Sequence, residues 1–151
     1  MKVSMRSLAI VFLSTALVLG GLQSARAGDS GKSDEKAAEA AAEKAAMDWL
    51  ALIDQSKYVQ SWDEAAPYFK SMLNKSQWES QVKAAREPMG KLISRSVKTR
   101  QFAKTLPGAP DGEYVVIQFD TKFENKAAAV ETITPQKDPE GNWRVSGYFI
   151  R

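Results

Sequence analysis

The side chains in this sequence that could carry acid–base or binding chemistry are carboxylates, tyrosines and arginines, because the chain contains no cysteine and no histidine. The missing cysteine excludes disulfides, thiol nucleophiles and thiolate metal sites. The missing histidine excludes Ser-His-Asp catalysis and histidine-ligated metals. A remaining carboxylate would act as a general base only if burial or a partner tuned its pKa. The candidate residues are Asp54, Tyr68, Arg86, Arg95, Asp120, Glu131 and Tyr148.

Arg86 is the most informative candidate, because it lies at the edge of an apolar helix face, close to Pro88 and Gly90, which end the helix. In a structural role its stem packs on the core and its guanidinium binds helix-end carbonyls or a carboxylate. In a functional role it binds an anion or carboxylate at the mouth of a pocket. The structural role is favoured, since a helix end attracts a cation. We also hypothesise that Arg86 and Glu131 form a buried or half-buried pair.

Aromatic residues offer a second kind of site. The helical spacing of the tryptophans favours core packing, and the alternative is an aromatic-lined ligand pocket. Trp62 is the best candidate for such a pocket, because it follows a predicted helix cap and does not lie in a long apolar stripe. The candidate ligand-binding residues are therefore Trp62, Tyr68, Arg86, Glu131 and Tyr148.

No catalytic residue, metal site or cofactor is assigned from the sequence. The acidic pairs Asp63-Glu64 and Asp138-x-Glu140 lack the spacing of a calcium loop, and there is no phosphate-binding loop.

The first 27 residues have the three parts of a secretory signal peptide in order. Lys2 and Arg6 give a positive start, residues 8–19 form an apolar run, and Ala25 and Ala27 frame an A-x-A cleavage site. We predict cleavage after Ala27 and a periplasmic or secreted protein. An uncleaved N-terminal anchor is the alternative.

Cleavage would change the charge balance of the chain. The 151 residues carry a net charge of +3, with 21 basic and 18 acidic residues. Removal of Lys2, Arg6 and Arg26 leaves 18 basic residues against the same 18 acidic ones. A neutral chain gives no electrostatic reason to expect nucleic-acid binding. We also expect no membrane association after cleavage.

Hydrophobic periodicity predicts helices first and strands afterwards. After a flexible leader over residues 28–36, residues 37–151 are predicted to form a single α+β domain. The first helix covers Asp34 to Asp54. The second begins at a Ser61–Glu64 capping box and runs to about Lys70, with Pro67 a difficulty for its interior. The third begins at a Ser76–Glu79 box and ends near Arg86 or Glu87.

From Lys91 onward the pattern alternates. Predicted strands cover Leu92–Ala103, Tyr114–Glu124, Ala127–Thr134 and Trp143–Arg151, and Pro135 closes the third. In the last strand, Trp143, Val145 and Phe149 are predicted to lie opposite Arg144, Ser146 and Tyr148. The turns between strands are short, which implies antiparallel pairing. The predicted fold class is α+β, with three N-terminal helices packed on a curved four-stranded antiparallel sheet.

A set of short motifs follows a fixed order along the chain. The motif residues are Trp49, Leu50, Leu52, Ile53, Asp54, Tyr58, Ser61, Trp62, Trp78, Arg86, Pro88, Gly90, Leu106, Pro107, Gly108, Pro110, Asp111, Gly112, Tyr114, Glu131, Thr132, Gly141, Trp143, Arg144, Val145, Gly147 and Tyr148. Taken together, the set resembles the bacterial secreted family catalogued as domain of unknown function number 4019. The resemblance extends from about Ala41 to Arg151, and the family supplies no activity. The order of elements is also similar to the cystatin-like or nuclear-transport-factor-2-like cone, which implies a pocket between helices and sheet. Some proteins with related folds are enzymes.

Three functions remain open at this point. The first is a noncatalytic periplasmic module that binds a small molecule or a periplasmic protein. The second is a cofactor-free isomerase or hydrolase that uses a pocket Asp or Glu with Tyr or Arg, which requires a desolvated carboxylate in a deep pocket. The third is a structural module that forms a homodimer through the open sheet face. We rank them in that order.

Overall fold

The computed structural model describes residues 28–151, so the predicted signal peptide, including Ala25 and Ala27, lies outside the described residues. Helices precede a four-stranded antiparallel sheet, which confirms the predicted α+β class. No helix within residues 28–151 combines the length and apolar character needed to cross a membrane. The elements are α1 (Gly28–Asp54), α2 (Tyr58–Glu64), α3 (Pro67–Met72), α4 (Lys75–Arg86), a 3₁₀ turn (Glu87–Met89), β1 (Leu92–Ala103), β2 (Tyr114–Phe123), β3 (Lys126–Lys137) and β4 (Trp143–Ile150).

Helix α1 begins earlier than the sequence pattern predicts. Residues 28–36, predicted as a flexible leader, are helical, and residues 30–37 are exposed. Acidic residues near a helix N-terminus and the alanine-rich continuation both favour helix formation, even where nothing packs against the helix. The helix contacts the core only from Ala42 onward.

The predicted second helix is two helices, so residues 28–151 contain four α-helices where three were predicted. Pro67 occupies the first turn of α3, where its missing N–H costs no hydrogen bond. Ser61 is not a cap; it lies buried inside α2, where its Oγ donates to the Tyr58 carbonyl at 2.7 Å. The same hydroxyl accepts a hydrogen bond from Trp78 Nε1 at 2.9 Å, which ties α2 to α4.

Helix α4 has a capping box, but two residues earlier than predicted. Asn74 is the N-cap, and its Oδ1 accepts from the Gln77 backbone N–H at 2.9 Å. The Gln77 side chain accepts in return from the Asn74 N–H at 3.0 Å. Asn caps a helix as well as Ser does, so the Ser76–Glu79 pattern was not the only box available.

The sheet has the strand order β1-β2-β3-β4, and each neighbouring pair is antiparallel. The predicted bounds of β1 match, but β3 does not stop at Thr134. It continues through Pro135 to Lys137, because Pro135 lies at an irregularity in the register opposite Val145. Proline is tolerated in strands at such irregularities.

A bulge at Ser146 corrects the predicted faces of β4. Gly147 pairs with Thr134 and Val145 pairs with Pro135, so Ser146 is an extra residue in β4. Its hydroxyl donates to the Thr134 carbonyl at 2.8 Å. As a result, Val145 and Tyr148 both lie in the core, although their odd spacing would place them on opposite faces of a regular strand.

The core fills the space between the helices and one face of the sheet. Trp49 and Trp78 are buried there, which agrees with the favoured structural role of these tryptophans. Their rings lie 5.6 Å apart, and Trp49 lies 5.6 Å from the ring of Tyr148. Phe69 contacts Trp78 edge-on at 4.9 Å. This aromatic layer ends at Tyr148, whose hydroxyl reaches a group of buried charges.

Candidate functional site

Two helices bring charged residues into the interior at the ends of apolar stripes. Asp54 follows the fully buried Leu50 by four residues at the end of α1, and Arg86 follows the buried Val82 by four residues at the end of α4. Residues four apart lie on the same helix face. The helical geometry therefore directs Asp54 and Arg86 toward the sheet.

Two strands supply the opposing charges. Arg95 on β1 lies opposite Thr121 on β2, and Glu131 on β3 lies opposite Phe119 on β2. Directly opposite residues in an antiparallel pair share one face of the sheet. Phe119 belongs to the core, so these positions point toward the helices. Asp54, Arg86, Arg95 and Glu131, with the hydroxyls of Thr121 and Tyr148, form what we call the buried charge network.

Arg95 connects the two carboxylates of the network. Its Nε and Nη2 donate to Glu131 Oε2 and Oε1 at 2.7 and 3.2 Å. Its Nη1 and Nη2 donate to Asp54 Oδ2 and Oδ1 at 2.7 and 3.0 Å. One guanidinium thus makes two bidentate pairs, the geometry that distinguishes arginine from lysine.

Glu131 is fully buried and fully occupied. Besides its two bonds from Arg95, Oε1 accepts from the Tyr148 hydroxyl and Oε2 from the Thr121 hydroxyl, both at 2.7 Å. A carboxylate has about four acceptor positions, two on each oxygen. All of them are used, which compensates the loss of hydration that burial imposes.

Arg86 completes the network from the other side. Its Nη2 donates to Asp54 Oδ1 at 3.0 Å, and its guanidinium carbon lies 4.1 Å from the centre of the Phe123 ring. Its side chain is 4% exposed, and its Nε and Nη1 have no hydrogen-bond partner among residues 28–151. The aromatic face offers partial compensation through a cation–π contact.

The electrostatics of the network favour a charged Arg95 and a neutral Tyr148. Burial lowers the pKa of Arg95, but the hydrogen bonds and charges of Asp54 and Glu131 outweigh burial and raise it. Burial raises the pKa of Tyr148 well above its ordinary value, and the Glu131 carboxylate adds to the increase. Two arginines and two carboxylates make the network neutral overall. Asp54, with 18% of its side chain exposed, is its most accessible charged group.

Residues 45–148 match the family model described as "Protein of unknown function (DUF4019)". This chain belongs to that family. The match confirms the resemblance drawn from the sequence motifs, and the matched range contains every residue of the buried charge network. No curated protein and no solved structure matches the chain.

Three of the five candidate ligand-binding residues meet in the network of this DUF4019 chain: Arg86, Glu131 and Tyr148. The direct pair of Arg86 with Glu131 is not formed. Arg86 binds Asp54 and Glu131 binds Arg95, so the two predicted partners are joined through the other two charged residues. The side chain of each predicted partner is buried, as expected.

The other two candidates have partners elsewhere. Trp62 Nε1 donates to the Leu73 carbonyl at 2.9 Å, and the ammonium groups of Lys70 and Lys75 lie 5.3 and 5.2 Å from the centre of its ring. The Tyr68 hydroxyl donates to the Gly108 carbonyl at 2.7 Å. Trp62, which is partly buried against the core, and Tyr68 therefore join helices to neighbouring segments and are not part of the network.

Asp54 and Arg95 were named as candidate acid–base residues but not among the candidate ligand-binding residues, and Thr121 was not named. Two of them left a signal in the sequence. Asp54 continues the four-residue spacing of the apolar stripe in α1, and Arg95 has the same parity as Val97 in β1. A charged residue in a buried stripe needs a partner, and the two stripes together could have suggested one. Thr121 left no comparable signal.

A separate groove lies on the sheet face that points away from the helices. It has a volume of about 520 Å³ and opens to solvent. Within residues 28–151, no group of three or more acidic residues could hold a metal ion. The lining residues are Ser94, Ser96, Lys98, Asp120, Thr121, Lys122, Ala127, Ala128, Ala129, Val130 and Arg151.

Proposed function

We propose that residues 28–151 form a noncatalytic binding module that works in the periplasm or outside the cell after removal of residues 1–27. The composition of residues 1–27 supports export, because it has the charged start, the apolar run and the A-x-A site of a signal peptide. The noncatalytic part of the proposal is carried by one structural observation, which is the complete occupation of the acceptor positions of Glu131.

A general base needs a free lone pair within hydrogen-bond reach of a substrate. Glu131 is the most deeply buried carboxylate within residues 28–151, and its acceptor positions are occupied by donors from Arg95, Thr121 and Tyr148. Abstracting a proton from a substrate would require it to release one of these partners inside the core. Its geometry suits a structural element that joins the sheet to α1, and it does not suit an acid–base catalyst.

A binding role instead makes use of the open sheet face. The groove there is lined by short side chains and by cations on neighbouring strands, and the helices leave it uncovered. A rigid sheet is a good platform for recognition, because its side chains are fixed in place by the core on the other face. Partners of this kind are a small molecule or a periplasmic protein.

The experiment is native mass spectrometry of the protein recovered from the periplasm by osmotic shock, without refolding. We expect a chain that begins at Gly28 and carries a bound molecule or protein. A variant with Ala25→Leu and Ala27→Leu provides the control, since bulky residues block a small-residue cleavage site. An intact precursor mass in the unmodified protein would contradict the export part of the proposal.

A second measurement addresses catalysis. Turnover of any compound that copurifies, lost in a Glu131→Gln variant that remains folded, would overturn the noncatalytic assignment. The same spectra report the oligomeric state. A dimer that dissociates when the outer sheet face is altered would favour the structural module over the binding module.

A further inference from the structure

We infer that the groove on the outer sheet face binds an acidic, extended segment of a partner protein. This inference rests on the proposed binding function and specifies the ligand. It follows from the floor of the groove, the charges at its sides and its open shape.

Small side chains on β1 and β3 form most of the floor of the groove, and charged side chains of β2 lie between them. Ser94 and Ser96 project from β1, opposite Lys122 and Asp120 of β2, and Ala128 projects from β3. Successive side chains of a strand alternate between faces, so these residues point away from the buried charge network. Short side chains allow another backbone to approach the sheet closely, which a floor of long side chains would prevent.

The sides of the groove carry an excess of positive side-chain charge. Lys98 is paired with Asp120 at 3.1 Å, but within residues 28–151 the side chains of Lys122 and Arg151 have no ion pair or hydrogen bond. The lining thus contains three basic side chains and one acidic side chain. An anionic ligand would neutralise the excess and meet two free donors.

The register places the two free cations on opposite sides of the floor. Lys122 lies on β2. The backbone of Arg151, which directly follows β4, pairs with Val130 of β3, so Arg151 lies one strand beyond β3. Two strand spacings separate them, about 10 Å. Acidic side chains two to four positions apart in an extended chain span a comparable distance, since each residue advances about 3.3 Å.

The shape of the groove favours a peptide over a compact small molecule. Small-molecule sites are enclosed and mostly apolar, so that they bury most of the ligand. This groove is open, and charged side chains lie among its small ones. An extended chain can cross such a surface and reach Lys122 and Arg151 in turn.

The test is a fluorescence-anisotropy titration of the protein lacking residues 1–27 with a labelled peptide in which Glu alternates with Thr. A peptide with Gln in place of Glu is the matched probe. We expect saturable binding of the Glu peptide only, weakened as NaCl rises from about 50 to about 500 mM. In the double variant Lys122→Ala/Arg151→Ala, we expect about tenfold weaker binding from the loss of two exposed ion pairs.

The control is Lys36→Ala/Lys104→Ala, which changes the net charge equally at exposed positions outside the groove. The inference is overturned if both double variants lose affinity equally, if the Gln peptide binds as well, or if the protein binds anionic lipid vesicles and not the peptide. A copurified ligand of another class, together with no peptide binding, would overturn this inference and leave the proposed binding function standing. Turnover lost in Glu131→Gln would overturn the proposed function itself.

Discussion

The guanidinium of Arg95 meets the carboxylate of Glu131 side-on, with Nε–Oε2 at 2.7 Å and Nη2–Oε1 at 3.2 Å, inside the core of the domain. The two residues lie 36 positions apart on β1 and β3, with β2 between them. A pair of this kind adds little net stability compared with apolar residues of similar size, but breaking it leaves an uncompensated buried charge. The network is therefore sensitive to the loss of any single member.

Glu131→Gln removes the negative charge with little change of shape. We expect a loss of about 3–5 kcal/mol in the free energy of unfolding, because Arg95 remains buried with one of its two carboxylates missing. Urea unfolding followed by tryptophan fluorescence measures the loss. The matched control is Asp48→Asn, which breaks the exposed Lys44–Asp48 pair and should cost less than about 0.5 kcal/mol. Equal losses in the two variants would contradict the assignment of Glu131 to a buried pair.

Removing both partners tests whether Arg95 and Glu131 act as a unit. We expect the variant Arg95→Met/Glu131→Gln to lose less stability than the two single variants together, with a coupling of about 0.5–3 kcal/mol. Each single change leaves a buried charge without its partner. The double change removes both charges, and only the former contacts of the pair with Asp54 and with the hydroxyls are left incomplete. Additive losses in the double-mutant cycle would show that the pair is not coupled.

Because the hydroxyl of Tyr148 is buried, we expect the folded protein to become less stable at alkaline pH. Burial, followed by the Glu131 charge, holds its pKa well above 10 in the folded state, while in the unfolded chain it ionises near 10. The unfolded state therefore releases a proton that the folded state retains. The contribution of Tyr148 is complete below pH 10 and is lost as the pH rises toward the folded-state pKa.

In Tyr148→Phe we expect a loss of about 1–3 kcal/mol at neutral pH, since Glu131 loses a hydrogen-bond donor. Above pH 10 the variant should lose less stability per pH unit than the unmodified protein. The decline should persist in part, because burial, together with the charges of Tyr68 and Asp111, also raises the pKa of Tyr114. Denaturant midpoints measured between pH 8 and 11 give both curves, and parallel curves would contradict the role of Tyr148.

Deleting Ser146 tests the bulge. Without the extra residue, Val145 and Tyr148 are two positions apart, so a regular β4 keeps both on the inner face and preserves the pairs Val145–Pro135 and Tyr148–Ile133. We expect the deletion variant to keep a cooperative unfolding transition and, like Ser146→Ala, to lose about 1 kcal/mol for the hydrogen bond to Thr134. Loss of the cooperative transition, or of the aromatic near-ultraviolet signal, in the deletion variant would show that Ser146 is not the extra residue of β4.

The sheet was the part of the fold most accessible to sequence analysis. Alternation and turn residues predicted the bounds of β1, and those of β2 and β4 to within one residue, because these signals are local. The face of Tyr148 could not be predicted in the same way. It depends on a bulge that forms only when β3 and β4 pair, and nothing in the sequence of β4 itself marks Ser146 as the extra residue.

The helices and the site could also be predicted from the sequence only in part. Pro67 signalled a break in the predicted second helix, but the choice between Ser76 and Asn74 as the cap of α4 depends on where tertiary packing fixes the helix. Arg86 and Glu131 were correctly expected to be buried. Their actual partners, Asp54 and Arg95, depend on how α1 and α4 meet the sheet, which a single sequence does not encode locally.

The wide spacing of the buried charge network along the chain has a consequence for the order of folding. Asp54 belongs to the first helix and Tyr148 to the last strand, so the network is incomplete until almost the entire chain is available. When the chain emerges with its N-terminus first, Asp54, Arg86 and Arg95 are exposed before Glu131 and Tyr148 can reach them. The loop-closure cost of such distant contacts delays the native state until the C-terminal hairpin arrives. A chain halted before β4 would therefore remain extended and accessible to proteases, while the finished domain becomes resistant in a single late step.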